Sequence, residues 1–395
     1  MYTRNKRILL HLSLVGPLGP ASIFRFLSYL CHQAKPELLH IGWDQLLEHE
    51  QVLMLEQIYT YSPTQLVQIM RLKPDVAAQV HQELADTRLL DEELALIAKH
   101  NIVALTPFDA DYPAMLKQIH YPPLVVYCRG VAFDVLAKGI AIVGSRKADS
   151  YGRTVINEFV PSLVEHGWSI VSGGAEGADT MAHQAALAVG GKTVAVLGAG
   201  LLAPAYPVAN APLFDAIVQQ GGLVVSPFSL RRGHDRTTFP MRNRIISGLS
   251  YGSIVVQAAE RSGALITARF ALEQGRQVFA VPGQINDPLS YGSHYLIKQG
   301  AKLVASAVDI LEEFGYVAPA ALAAQPTKKK IQAAQLQLQS EAAQDPLLAT
   351  LREPATLDEL HLVTGLQADE LQDTLFALQL EGKIKQHFSG TWQRV

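Results

Sequence analysis

The residues best placed to do chemistry together lie between Arg231 and Arg244, in the stretch RRGHDRTTFPMRNR. Five arginines stand there against one aspartate, Asp235, with His234 and Phe239 between them. A guanidinium presents a planar fork of donors that matches two phosphate oxygens at once. A phenylalanine ring offers a flat face on which a base can stack. Cations interleaved with an aromatic are the minimal recipe for holding a single nucleic-acid strand. The same composition also suits a solvated loop whose charges pair with one another.

Four glycine-rich turns form the second group: Gly144-Ser145-Arg146, Ser172-Gly173-Gly174-Ala175-Glu176-Gly177, Gly198-Ala199-Gly200 and Pro282-Gly283. Each follows an apolar run that reads as a strand. Glycine lets backbone approach a phosphate closely, and a following helix N-terminus supplies free N–H groups. Any one of these turns could simply end its strand; several at one sheet edge favour an anionic ligand. The chain has no GxxxxGK[ST], which argues against a P-loop ATPase. Gly198-Ala199-Gly200 lacks the third glycine and the acidic ribose ligand of a dinucleotide site. Asp179, Thr180 and His183 cluster, but residues four apart on a helix are neighbours whatever their role, so capping or packing is the favoured reading. Glu260 follows a strand without a nucleophile beside it, and no His/Asp/Glu spacing suits a metal. The residues therefore predict no catalytic centre, no metal and no cofactor.

These groups need a scaffold, and the chain can build one. It has 395 residues, 49% of them hydrophobic, enough for two or three domains. The net charge is −3, so an argument for nucleic acid must rest on local clustering. Two cysteines, Cys31 and Cys128, without a CxxC pair, read as reduced thiols of a cytoplasmic protein. The N-terminus superficially resembles a signal peptide, but His11 and Ser13 interrupt its apolar stretch and no clean cleavage site follows. No run is long enough to span a bilayer.

Helical spacing in ILLHLSLVG, ASIFRFLSYL and LVQIMRL, broken at Gly16-Pro17 and Gly19-Pro20, predicts a small helical domain over residues 1–98. From about Ile102 the texture changes. Strands are predicted at Ile140–Val143, Ser169–Val171, Thr193–Leu197, Leu223–Val225, Ile254–Gln257 and Val278–Val281. Helices are predicted at Tyr151–His166, Ala178–Val189 and Ala264–Gln274. This alternation over residues 99–316 argues a parallel sheet covered on both faces, with ligands at the carboxyl ends of its strands. Residues 317–344, rich in Ala and Gln, read as a linker. Residues 345–395 read as three helices (Pro346–Leu351, Thr356–Thr364, Ala368–Glu381) and a hairpin over Ile384–Arg394 turning at Ser389-Gly390, the outline of a winged helix.

The order and spacing of the motifs resemble one known family. They are Val143-Gly144-Ser145-Arg146 with Tyr151-Gly152; Ser172 to Asp179 with His183 and Ala186-Leu187; and Thr193 to Gly198 with Tyr206-Pro207 and Asn210. Phe239 to Ser250, Ser262 to Ala268 and Gly275 to Gly283 complete the set. This set, from about His100 to Phe314, resembles the DNA-processing protein A (DprA, or Smf) family. The resemblance implies an α/β fold with an extended Rossmann-like core, a SAM-like helical domain before it and a winged helix after it. It implies a single-stranded DNA-binding recombination mediator that protects incoming strands and promotes loading of the RecA recombinase in natural transformation or recombination. It also implies a homodimer formed through the Rossmann domain. The DNA pocket carries over onto Ser145, Arg146, Phe239, Arg242 and Asn243, with Arg236 where a further basic residue is expected. Gly144, Ser172, Gly173, Gly174, Arg244, Gly263 and Thr267 complete the candidate set.

Three positions depart from that pattern. Glu176 stands where a basic residue is usual, Ser226-Pro227 where Ser-Glu is usual, and Gln257 where a glutamate usually ends its strand. The rival reading is a Rossmann-like hydrolase of nucleotide-derived ligands, but Pro282-Gly283-Gln284 runs into Ile285-Asn286-Asp287, without the PGGxGT-type loop such enzymes use. A regulatory protein gripping duplex DNA with its winged helix is a third. Lys383, Lys385 and Arg394 are the obvious phosphate partners in that module, too few for tight binding alone.

Overall fold

A computed structural model describes residues 3–35, 54–133, 138–316, 350–351, 354–366, 371–372, 374–375, 378–379, 383–386 and 391–394. The chain divides into two compact units, Met1–Gly315 and Tyr316–Val395.

The first unit begins with helices α1 (Arg4–Leu14), α2 (Pro20–Ala34), α3 (Pro63–Met70), α4 (Pro74–Leu84) and α5 (Arg88–Lys99). Proline in the first turn starts three of them, where its missing N–H would have no partner anyway. The apolar faces of α1 to α4 close on Leu9, Leu12, Phe26, Leu27, Leu66 and Val80, while α5 packs Leu90 and Ile97 in a second cluster with Leu10.

The sheet region follows as β1 (Val103–Leu105), α6 (Ala114–Lys117), β2 (Val126–Gly130), β3 (Lys138–Val143), α7 (Ser150–Glu165), β4 (Trp168–Ser172), α8 (Ala178–Ala188) and β5 (Thr193–Val196). Next come α9 (Ala211–Gln219), β6 (Leu223–Ser226), α10 (Thr238–Gly248), β7 (Gly252–Val255), α11 (Gly263–Glu273), β8 (Gln277–Ala280), α12 (Tyr291–Lys298), β9 (Lys302–Leu303) and α13 (Ala307–Glu313).

Nine strands form one sheet in the order β1-β2-β6-β5-β4-β3-β7-β8-β9. From β6 to β9 all neighbours are parallel. Strands β4 to β7 are buried along their whole length, as expected where helices cover both faces. Successive residues serve opposite faces: Val194 and Val196 pack towards α10 and α11, whereas Ala195 packs against Phe214 and Ile217 of α9.

Two features differ from expectation. The sheet is mixed, because β1 and β2 add an antiparallel edge beside β6, Tyr127 opposite Ser226. The arginine-rich stretch is also not all loop: from Thr238 it is helix α10. Asp235 starts that helix by accepting from the N–H groups of Thr237 (2.7 Å) and Thr238 (3.1 Å), and Pro240 falls in its first turn, where it is tolerated.

In the second unit, α14 (Leu357–Thr364) is capped by Thr356, and β10 (Ile384–Gln386) pairs antiparallel with β11 (Trp392–Arg394). Residues 371–372, 374–375 and 378–379 are helical, inside the expected Ala368–Glu381. Leu351, Leu360, Leu371, Leu375, Ile384 and Trp392 form its core. The expected linker, the turn at Ser389-Gly390 and most of Pro346–Leu351 lie outside the described residues.

Candidate nucleic-acid interface

From β3 the chain runs outward through β4, β5 and β6, then returns to the other side of β3 as β7, β8 and β9. The carboxyl ends of β3 and β7 are therefore where the strand order reverses, the usual ligand crevice of an open α/β sheet. A cavity of about 400 Å³ opens there. Gly144, Ser145 and Arg146 line it from the end of β3, Phe239, Arg242 and Asn243 from α10, and Arg261, Gly263 and Thr267 from the start of α11. Eight of the thirteen expected site residues thus meet.

Close backbone approach explains the glycine after β3. A Cβ on Gly144 would lie 2.7 Å from the Ala178 Cβ and 3.1 Å from the Gln257 carbonyl oxygen. The Ser145 N–H donates to that same carbonyl at 2.6 Å. Gln257 also ties the end of β7 to the residue before α7. Its side-chain amide donates to the Asp149 carboxylate at 3.0 Å and accepts from the Asp149 N–H at 3.1 Å. A glutamate there would set two carboxylates against each other.

The turn after β4 is built as a frame. Asp179 accepts from the N–H groups of Gly173 (3.1 Å) and Ala175 (3.3 Å). Asn210 donates to the Gly174 carbonyl at 2.9 Å and Thr180 Oγ1 to the Ala175 carbonyl at 2.7 Å. Arg242 donates to the carbonyls of Gly173 and Val196. The Gly173 and Ala175 donors that could have cradled a phosphate already hold a carboxylate. Ser172 lies behind them, fully buried, donating to the Ile142 carbonyl at 2.6 Å. Glu176 is exposed and does not line the cavity.

Arg242, 5% exposed, is part of this frame. Burial pulls its guanidinium down to about 10, while Asp179 opposes the shift; it stays charged at neutral pH. Burial raises the Asp179 carboxyl, against the pull of Arg242 and the turn N–H groups. His183 is fully buried, and desolvation depresses it to about 3. Thr193 Oγ1 donates to the Ile170 carbonyl (2.7 Å), so at 2.7 Å it must accept from His183 Nδ1–H. The ring is neutral and structural. Asp179 thus braces the turn and His183 packs between α8 and β5.

The exposed rim differs. Arg146 sits with its guanidinium carbon 5.4 Å from the Phe239 ring centroid and 5.8 Å from that of Tyr206, and it donates to the Tyr206 hydroxyl at 3.4 Å. Tyr206, His234 and Phe239 form one aromatic group, with centroids 4.3–5.9 Å apart. A cation over stackable rings is how single-strand sites combine charge with stacking. Asn243 donates to the Gly263 carbonyl at 3.3 Å, tying α10 to α11. Gly263 has open space where a Cβ would stand.

Two expected residues lie elsewhere. Arg236 is exposed on the segment before α10, outside the cavity lining. Arg244 turns to the opposite side of α10 and donates to the carbonyl of Tyr121. Sequence reasoning missed Arg261, although it adjoins Ser262-Gly263 at the start of α11. It also missed Tyr206 and His234 as partners of Phe239; Tyr206 lies 33 residues before that ring, and only the fold joins them.

The sequence pattern of the family described as DNA recombination-mediator protein A matches residues 103–315, and that of the DprA winged helix domain matches residues 331–390. The DNA processing protein DprA of Bacillus subtilis is 43% identical over 226 residues, 57% of this chain and 75% of that protein. Protein Smf of Escherichia coli is 45% identical over 214 residues, 54% of this chain and 57% of that protein. The X-ray structure of DNA processing protein A from Streptococcus pneumoniae superposes with a TM-score of 0.62 at 34% identity, covering 80% of this chain and all of that one. With its helical N-terminus, its large, mostly parallel sheet and its winged-helix domain, the chain belongs to the DNA recombination-mediator protein A family.

Proposed function

We propose that this protein binds single-stranded DNA across the β3–β7 cavity, protects incoming strands and promotes loading of the RecA recombinase in natural transformation or recombination. The observation that carries the reading is the rim: Arg146 over Phe239 and Tyr206, beside exposed Arg261. Exposed cations meet backbone phosphates, and the rings take bases without regard to sequence. The family's description as a recombination mediator supports the hand-over to a recombinase. The role is binding, without a catalytic step or cofactor.

The strand-binding form is a homodimer through the Rossmann-like region. Ile285, Tyr291, Tyr295 and Leu303, all exposed, give the β8–β9 side an apolar character that suits self-association. The setting is cytoplasmic, in keeping with two buried cysteines that form no disulfide. No helix among the described residues is long and apolar enough to cross a membrane. A mobility-shift titration with single- and double-stranded oligonucleotides tests the reading, with a clear preference for the single strand expected. Equal binding of both, or release of a free base from added nucleotides, would point to the rival readings.

A further inference from the structure

The basic segment that leads into α10 is fastened to the helical N-terminal region. Leu230, the residue before Arg231, is fully buried in a cluster with Leu10 of α1, Leu90 and Ile97 of α5, and Ala104 and Tyr127 of the antiparallel edge. Glu93 of α5, 6% exposed, accepts from the Leu230 N–H at 2.8 Å. Burial raises its carboxyl, while the Leu230 N–H, the nearby Tyr127 hydroxyl and the Arg231 charge favour the ionised form.

The succession continues without a gap to the strand-binding surface. The Leu230 carbonyl accepts from the Leu202 N–H and the Arg232 carbonyl from the Gly200 N–H, both at 2.8 Å. The Arg232 guanidinium pairs with Asp235 at 2.7 Å, and Asp235 caps the first turn of α10, which bears Phe239. An acidic side chain is a costly group to bury when an apolar one would fill the same space. What Glu93 adds, and a leucine could not, is an acceptor fixed on one backbone N–H at the root of the segment.

We infer that Glu93 is a positioning residue for nucleic-acid binding, and that α5 is thereby part of the binding site and not a detachable neighbour. The inference rests on the proposed strand-binding role. It says that the Arg231–Arg236 cations and the start of α10 hold their places only while the Glu93–Leu230 bond stands.

The test uses the full chain and a fluorescent oligothymidylate, with affinity followed against salt well below the melting temperature. Trypsin cleavage after Arg231, Arg232 and Arg236 is followed in parallel. Glu93→Ala is expected to weaken binding about ten-fold or more, to lower the log–log salt slope by about 0.7 for a lost phosphate contact, and to speed cleavage in the segment. Glu93→Gln, which keeps the acceptor, should restore all three. Leu230→Ala, which loosens the same root without touching the carboxyl, should repeat the faster cleavage and lower slope even if Glu93→Ala folds poorly. Arg146→Ala serves as the control for the binding reading itself. If Arg146→Ala weakens binding while Glu93→Ala or Leu230→Ala leaves slope and cleavage unchanged, the positioning role is wrong and the strand-binding role stands. If Glu93→Gln behaves like Glu93→Ala, the acceptor is not what matters and the inference also fails. If Arg146→Ala has no effect, it is the strand-binding role that fails.

Discussion

The Gly173–Ala175 turn and the Arg231–Arg236 segment both lead into the walls of one cavity, but they hold their polar groups in opposite ways. In the turn, all three carbonyls and two of the N–H groups are bonded to side chains, and the nearby arginine, Arg242, is buried among them. In the segment, Arg231 and Arg236 are exposed, and the one ion pair, Arg232 with Asp235, is a solvated one. A saturated turn can set geometry but has little left to offer a ligand. An exposed cation contributes little to stability and keeps its donors for a phosphate. The comparison separates a frame (Ser172, Gly173, Gly174, Arg242) from an exposed set proposed to meet the strand: Arg146, Phe239, Tyr206 and Arg261 at the cavity, and Arg236 on the segment outside its lining.

Breaking the frame should have the largest effect. Arg242→Ala removes the positive charge that favours ionised Asp179 and takes the donor from the Gly173 and Val196 carbonyls, with an expected loss of about 3–5 kcal/mol in stability. Chemical denaturation would register that loss, and binding should fall only as the folded fraction falls. A stable Arg242→Ala protein with weakened binding would move Arg242 to the rim. Gly173→Ala should act similarly, because its Cβ would stand 2.2 Å from the Arg242 guanidinium.

The frame should also answer to acid. His183 takes up a proton near 6.5 when unfolded but only near 3 when folded. Between those values the unfolded chain binds more protons, so stability falls as pH drops from 6.5 towards 3, by up to about 1.4 kcal/mol per unit. Asp179, raised by burial, acts in the opposite sense. The difference between wild type and His183→Asn isolates the histidine, since asparagine keeps a donor for Thr193. Parallel stability–pH curves for the two proteins would show that His183 is not held neutral.

Smaller effects belong to the rim. Phe239→Ala should lose on the order of 1–3 kcal/mol of binding through stacking, with the salt slope kept. A large fall in melting temperature in place of lost affinity would make the ring a core residue. Smallest of all, deleting the residues after Ala343 should leave single-strand affinity within a few-fold, because Lys383, Lys385 and Arg394 are few. A loss of about a hundred-fold, worth roughly 2.7 kcal/mol, would place part of the site in the winged helix.

The parallel strands were legible because a strand buried on both faces writes itself as an unbroken apolar run, as IAIV and TVAV do. The antiparallel edge was not, since β2 finds its partner β6 about a hundred residues away. The site was half legible. Glycines and arginines marked the right turns, but residue type cannot say which arginine is buried. Arg242 and Arg146 look alike in sequence; only the strand ends and Asp179 that surround Arg242 separate them. Nor can spacing reveal that Tyr206 and His234 complete a ring cluster with Phe239, or that Glu93 reaches Leu230 from the helical region.

The division into frame and rim is tested most directly by the salt dependence of single-strand affinity for Arg146→Ala against wild type. An unchanged melting temperature is expected, with weaker binding to every sequence and a log–log slope lower by about 0.7. An Arg146→Ala protein with wild-type slope and affinity would contradict the account.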